Sequence, residues 1–184
     1  RPLPEGRISP TEGIIFSTVA GAIGIFCLTQ INMKCAIYGA ISLILYAAIY
    51  TPLKTKSPIA VLVGAFPGAI PAMIGWLAAT NHFGIEPGIL FGIQFLWQFP
   101  HFWAIAWLQD DEYKKAGIRL LPSGMRDKSS AYQVMSYSLW LIPVSISPLL
   151  FPFIDVQSDL KLSYLGGGLI FLLGLWVFRD AYGL

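Results

Sequence analysis

Three groups of residues in this chain have the types and spacings that chemistry requires. Gln94, Gln98 and His101 recur at i, i+4 and i+7 in an otherwise apolar run, so they form one polar stripe on a helix. Pro100, beside the histidine, removes one helical hydrogen bond and releases the carbonyl of Leu96. An ionisable group at such depth faces a bundle interior or a cavity, and it is a site candidate by default. Gln94 and Gln98 could equally serve as interhelical glue, and that reading suits Gln94 better than it suits His101. The second group is the acidic run Asp110-Asp111-Glu112-Tyr113, which opens the longest polar stretch in the chain. Neighbouring carboxylates there can hold Mg²⁺, a hard ion that takes oxygen ligands and bridges one or two carboxylates to substrate phosphates, although a solvated helix end carries similar charges. The third is Tyr50-Thr51-Pro52-Leu53-Lys54-Thr55-Lys56, where two ammonium groups beside hydroxyls suit a phosphate-bearing ligand. Lysines snorkelling from a helix end would look the same.

The elements that must position these groups are dictated by composition. Hydrophobic residues make up 55% of the chain and charged residues 12%, and the mean hydropathy is +0.65, well outside the usual soluble range. Uncharged runs at 13–29, 36–53, 57–80, 88–108, 131–153 and 162–178 each approach the roughly 20 residues that cross hydrocarbon. They are apolar on all sides rather than alternating, which excludes barrel strands and predicts an all-α, polytopic transmembrane bundle of six spans forming one domain over 1–184. If the spans alternate, Arg1, Arg7, Lys54, Lys56, Lys114, Lys115, Arg119, Arg126, Lys128 and Arg179 share one face, and only Lys34 and Lys161 lie on the other. That asymmetry assigns the basic face to the cytoplasm or the mitochondrial matrix. The acidic run falls on this same face. The opposite loops hold little besides Glu86, Asp155, Asp159, Asn81 and His82, thin material for a site.

The remaining punctuation reads as packing. Gly64 and Gly68 form a small-xxx-small pair, Pro67 and Pro71 bend their helix, and Gly166, Gly167 and Gly168 permit close helix approach. Cys27 and Cys35 are expected as buried small hydrophobes, and His82 as a surface residue. The chain starts with Arg and shows no cleavable signal, so it is expected to be a piece of a longer protein.

Longer motifs carry a resemblance. Arg1-Pro2-Leu3-Pro4-Glu5-Gly6-Arg7-Ile8-Ser9, Tyr50-Thr51 with Lys54, Gly64-Ala65-Phe66-Pro67-Gly68-Ala69-Ile70-Pro71 with Gly75-Trp76, Pro100-His101-Phe102-Trp103-Ala104, and Glu112-Tyr113 followed by Ala116-Gly117-Ile118 and Leu121-Pro122 occur in this order. Together they resemble the protohaem IX farnesyltransferases, or haem O synthases, of the UbiA superfamily of intramembrane prenyltransferases. The resemblance runs from residue 1 to residue 122, and beyond that the chain matches only as further hydrophobic spans.

This resemblance implies transfer of the farnesyl group of farnesyl diphosphate to a vinyl group of haem b, with addition of water. It implies a prenyl chamber within the bundle and Mg²⁺ held against the diphosphate by two acidic motifs. Arg1 and Lys54 are then diphosphate contacts, with Arg7, Tyr50, Lys56, Gln98 and Tyr113 grouped beside them as substrate-binding residues. Asp111 and Glu112 are the metal ligands, His101 is the haem contact, and His101 and Glu112 are the catalytic pair. The expected surroundings are a bacterial inner or mitochondrial inner membrane, with haem A synthase as a partner and no nucleic acid. Two departures bear on the metal. Ala116 stands where the wider superfamily offers an aspartate, and the first acidic motif would lie before Arg1, together with two spans, while a final span would follow the last. A sister enzyme acting on a quinone precursor such as 4-hydroxybenzoate is the alternative within the superfamily, against which Pro100-His101-Phe102-Trp103 argues. A transporter fragment with Pro-broken spans is the alternative outside it, and it requires repeat symmetry and several midplane polar stripes where one is present.

Overall fold

The computed structural model describes residues 5–153 and 157–182, so Arg1 lies outside the described residues. These fold into helices, with no strand among them. The first is α1 (Pro10–Thr29), whose start is fixed by a reciprocal cap: Glu12 N–H donates to Ser9 Oγ at 3.2 Å and Ser9 N–H donates to Glu12 Oε2 at 2.7 Å. Next, α2 (Met33–Ile44) is capped by Asn32, whose Oδ1 accepts from Cys35 N–H at 2.9 Å. A π-helical stretch, Leu45–Tyr50, and the one-turn α3 (Thr51–Leu53) continue the same span. The others are α4 (Ala60–Thr80), α5 (Ile85–Leu108), the short α6 (Asp110–Lys115), α7 (Lys128–Ile146), which runs into a 3₁₀ stretch to Phe153, and α8 (Tyr164–Tyr182).

Five helices, 10–29, 33–53, 60–80, 85–108 and 128–153, are long and apolar enough to cross a membrane, and the sixth expected run forms α8. The chain is thus a multi-pass membrane protein. Helix starts differ from the apolar runs by two or three residues, because caps such as Ser9, Asn32 and Asp127 are polar and precede the hydrophobic stretch they initiate. Each long helix packs on its neighbours in the chain, α1 on α2, α2 on α4, α4 on α5, α5 on α7 and α7 on α8. α1 buries none of its residues against protein, and Phe16 on it is 76% exposed. In hydrocarbon such a side chain already has an apolar solvent, so packing, not hydrophobic burial, holds these helices together. Cys27 accordingly is exposed on α1, against expectation, whereas Cys35 is fully buried.

The proline pair in α4 shows how the chain compensates a lost bond. Pro71 has no N–H, so the carbonyl of Pro67 has no helical donor, and the hydroxyl of Ser42 on α2 donates to it at 3.0 Å. Two apolar clusters fill the protein between the helices. One, near the basic end, joins Val61, Ala65, Phe99, Trp103, Ala106, Leu121 and Val134. The other, near the sparse end, joins Cys35, Ile70, Met73 and Leu77. Of the glycines on α8, Gly167 allows close approach of Leu149, with a Cβ there 3.1 Å from its Cδ1, and Gly174 allows a closer one, with a Cβ 2.6 Å from Ile142 Cγ1.

Candidate functional site

The loops sort by end as the charge pattern requires. At the sparse end, Asn32 Nδ2 donates to the carbonyl of Leu77 at 2.8 Å and Lys34 Nζ donates to that of Asn81 at 2.6 Å. At the basic end, Leu120 from the loop after α6 lines one cavity with Tyr50 and Val61. Tyr113 of α6 packs on the basic-end cluster, close enough to Tyr50 for the two phenols to interact electrostatically.

That cavity, about 540 Å³, lies between α2, α4 and α5. Glycines make it. The ring of Tyr50 lies over Gly64, where a Cβ would be 2.7 Å from Cδ2 and Cε2, and the amide of Gln98 lies over Gly68. The π-helical stretch that ends at Tyr50 changes the phase of the helix and turns this ring toward α4, with the Tyr46 ring tilted against it at 5.2 Å. Gln98 is 4% exposed, and its Nε2 donates to the carbonyl of Ala65 at 3.0 Å and to that of Gln94 at 3.2 Å. The glycine pair therefore admits side chains, not a second helix backbone.

The polar stripe divides between two cavities. His101 is exposed, stacks on Trp97 at 4.5 Å with an interplanar angle of 14°, and lines a separate cavity of about 360 Å³ between α5, α7 and α8. Val134 and Ser138 of α7 and Asp180 of α8 line it too. Gln98, not Gln94, makes the interhelical hydrogen bond.

The acidic run forms α6, and its members differ sharply. Asp110, which the sequence reading left without a role, is 6% exposed and pairs with Lys114 at 2.6 Å and with Arg126 at 3.4 Å. Asp111 pairs with Arg126 at 3.5 Å and Glu112 with Lys115 at 2.6 Å, and their side chains are 78% and 73% exposed. Burial with two cations makes Asp110 the anchor of the loop and leaves the other two carboxylates accessible. No group of three His, Cys, Asp or Glu side chains able to hold a metal occurs among the described residues. Two accessible carboxylates with hard oxygen donors fit a Mg²⁺ ion that keeps its waters and is shared with a phosphate, and not one caged by protein alone.

Lys54 is half-buried and Lys56 exposed, and neither has a carboxylate partner among the described residues. Arg7 is paired with Glu5 at 2.9 Å. Asp127 caps α7, accepting from Ser130 N–H at 2.8 Å, and this bond, aided by the Ser123 hydroxyl, holds its carboxyl below the usual carboxylate range.

The sparse end is better furnished than its sequence suggests. A cleft of about 720 Å³ is lined there by His82, Glu86, Ser158, Asp159 and Lys161. Glu86 is buried at the start of α5 and its Oε1 accepts from Asp159 N–H at 3.3 Å, which ties the loop before α8 to α5. Its titratable groups come from separate loops, which is why no single motif announced them. His82 is exposed, as expected.

A helical bundle that holds an intramembrane chamber between its helices, with lysines and accessible carboxylates on the loops of its basic end, defines a membrane-embedded protein suited to a ligand with an apolar body and an anionic head. The chain belongs to the UbiA prenyltransferase family, whose model matches residues 1–183. The likeness thus continues through the last two helices, past the residue 122 at which the motifs end. Among curated relatives, the chain is 53% identical to the protoheme IX farnesyltransferase of Christiangramia forsetii over 95% of this chain and 57% of that protein. It is 51% identical to that of Flavobacterium johnsoniae over 96% and 58% respectively, and 54% identical to that of Cytophaga hutchinsonii over 86% and 56%. The chain therefore spans somewhat more than half the length of these relatives. No solved structure matches.

Proposed function

We propose that the complete protein transfers the farnesyl group of farnesyl diphosphate to a vinyl group of haem b and adds water to give haem O. The observation that carries this reading is the chamber of about 540 Å³ between α2, α4 and α5, apolar along most of its lining, with Tyr50, four residues before Lys54, and Leu120, from the loop after α6, in its wall. An isoprenoid chain fits such walls, and its diphosphate falls at the basic end, where Lys54 and Lys56 have no counter-ion among the described residues. The names of the relatives supply farnesyl and protohaem as the two substrates.

In this reading Arg1, Arg7, Lys54 and Lys56 attract the diphosphate. Tyr50 and Tyr113 close the mouth of the chamber. Asp111 and Glu112 hold Mg²⁺, which when bound neutralises charge on the departing diphosphate. The porphyrin lies against α5, its flat face on the Trp97–His101 stack and its reacting vinyl group turned past α5 into the chamber. Haem O then passes to haem A synthase. The charge asymmetry supports a basic face, and with it the diphosphate site, on the cytoplasmic side of a bacterial inner membrane or the matrix side of its mitochondrial equivalent.

The test is a product assay on the complete protein with farnesyl diphosphate and haem b, in parallel with 4-hydroxybenzoate as acceptor. Haem O from the first and no adduct from the second is expected, and the converse overturns the reading. Glu112→Gln should lose Mg²⁺-dependent turnover while its melting temperature stays within a few degrees of wild type. Wild-type turnover at limiting Mg²⁺ removes Glu112 from the metal.

A further inference from the structure

Gln98 is more than nine-tenths buried, yet only half of its amide is committed. Nε2 donates to two main-chain carbonyls, those of Ala65 and Gln94. Carbonyls cannot donate in return, so the orientation of the amide is fixed and Oε1 points away from them, over Gly68. A Cβ at Gly68 would collide with Oε1, so the glycine clears the space this oxygen occupies. No donor among the described residues reaches Oε1, and the side chain lines the chamber. The other polar groups there are placed differently. The hydroxyl of Ser42 donates to Pro67, and Tyr46 and Tyr50 stand nearer the basic end. Gly68 lies one turn beyond Gly64 along α4, so Gln98 sits about 6 Å deeper than the Tyr50 ring.

An acceptor facing an apolar chamber loses its hydration without replacement if left unmet when the chamber fills. A prenyl chain has no donor to offer. A water molecule does. On the proposed farnesyl transfer, which this inference rests on, we infer that Gln98 Oε1 holds the water that adds to the substrate, making Gln98 a positioning residue for hydration. The bond between farnesyl C1 and the diphosphate oxygen breaks, its electron pair leaving with diphosphate. The vinyl π pair forms the new carbon–carbon bond to C1 and leaves a cation on the ring-attached carbon. The water, one O–H donated to Gln98 Oε1, attacks that carbon through its oxygen and loses a proton to the released diphosphate. No oxidant or reductant is involved. Without a held water, the cation instead loses a proton and gives an alkene lighter by one water.

The test uses the complete protein with farnesyl diphosphate, haem b and isotope-labelled water, and measures hydrated adduct, dehydrated adduct and released diphosphate for wild type and Gln98→Leu. The variant is expected to lower the ratio of hydrated to dehydrated product about tenfold, equivalent to about 1.4 kcal/mol between the two fates of the cation, with diphosphate release falling far less. An unchanged ratio overturns the inference. So does a folded variant that loses diphosphate release and both adducts together, because that marks a general binding role. If Gln98→Leu does not fold, Gly68→Ala carries the same test, since its methyl group meets Oε1 and the rest of the amide and so moves the acceptor while the side chain of Gln98 is kept. Failure of the farnesyl-transfer reading itself is distinct: wild type then makes no adduct of any kind.

Discussion

Replacing Gly64 with alanine puts a methyl group where the ring of Tyr50 now lies. The new Cβ would stand 2.7 Å from Cδ2 and Cε2, whereas ordinary contact begins at 3.4 Å, so the ring must retreat. Its movement is constrained, because the Tyr46 ring lies tilted against it at 5.2 Å and its backbone belongs to the π-helical stretch. Overpacking of this kind costs about 1–3 kcal/mol. The displaced ring also enters the mouth of the chamber, so two readouts should move together. Gly64→Ala is expected to lower the melting temperature of the purified protein and to weaken farnesyl diphosphate binding by at least about fivefold, the factor that 1 kcal/mol represents. Tyr50→Ala removes the obstacle, and the double variant should recover about 1–2 kcal/mol relative to the sum of the single changes. If Gly64→Ala leaves both stability and affinity unchanged, or the double variant shows no coupling, the Tyr50–Gly64 contact does not shape the chamber.

Three further outcomes are expected. Ser42→Ala should destabilise by about 1–2 kcal/mol, because the Pro67 carbonyl loses its one side-chain donor, and Pro71→Ala should rescue it by restoring a helical N–H, as thermal melts in detergent will show. Asp127 titrates below the usual carboxylate range in the folded protein, so its capping of α7 is complete above the unfolded pKa and is lost as pH falls through the lowered folded value. Amide exchange at Ser130 should accelerate in that acid window and show no such step in Asp127→Asn. His101→Ala should weaken haem affinity about tenfold, or 1.4 kcal/mol, while farnesyl diphosphate affinity stays within about twofold, because the two line different cavities. Unchanged haem affinity with normal turnover would remove His101 from the site.

The sequence by itself determined that this chain crosses a membrane several times and that its helix ends alternate between a basic and a sparse end, whereas the starts after Ser9, Asn32 and Asp127 fall three residues outside the apolar runs. Hydrocarbon leaves the backbone no other way to satisfy its hydrogen bonds, and capping is a local affair of three or four residues. It also marked Gln98 and His101 as out of place in an apolar helix. Only tertiary structure decided that they serve different cavities, since that depends on which helices flank α5, and a periodicity within one helix carries no such information. The same holds for Asp110 against Asp111 and Glu112: three adjacent carboxylates look alike in the sequence, and burial beside Lys114 and Arg126 alone separates the anchor from the two that stay accessible. Gly64 and Gly68 read as a helix–helix contact, yet a tyrosine ring and a glutamine amide fill the space they leave. Spacing can require a small residue, but what approaches it is a property of elements distant in the chain.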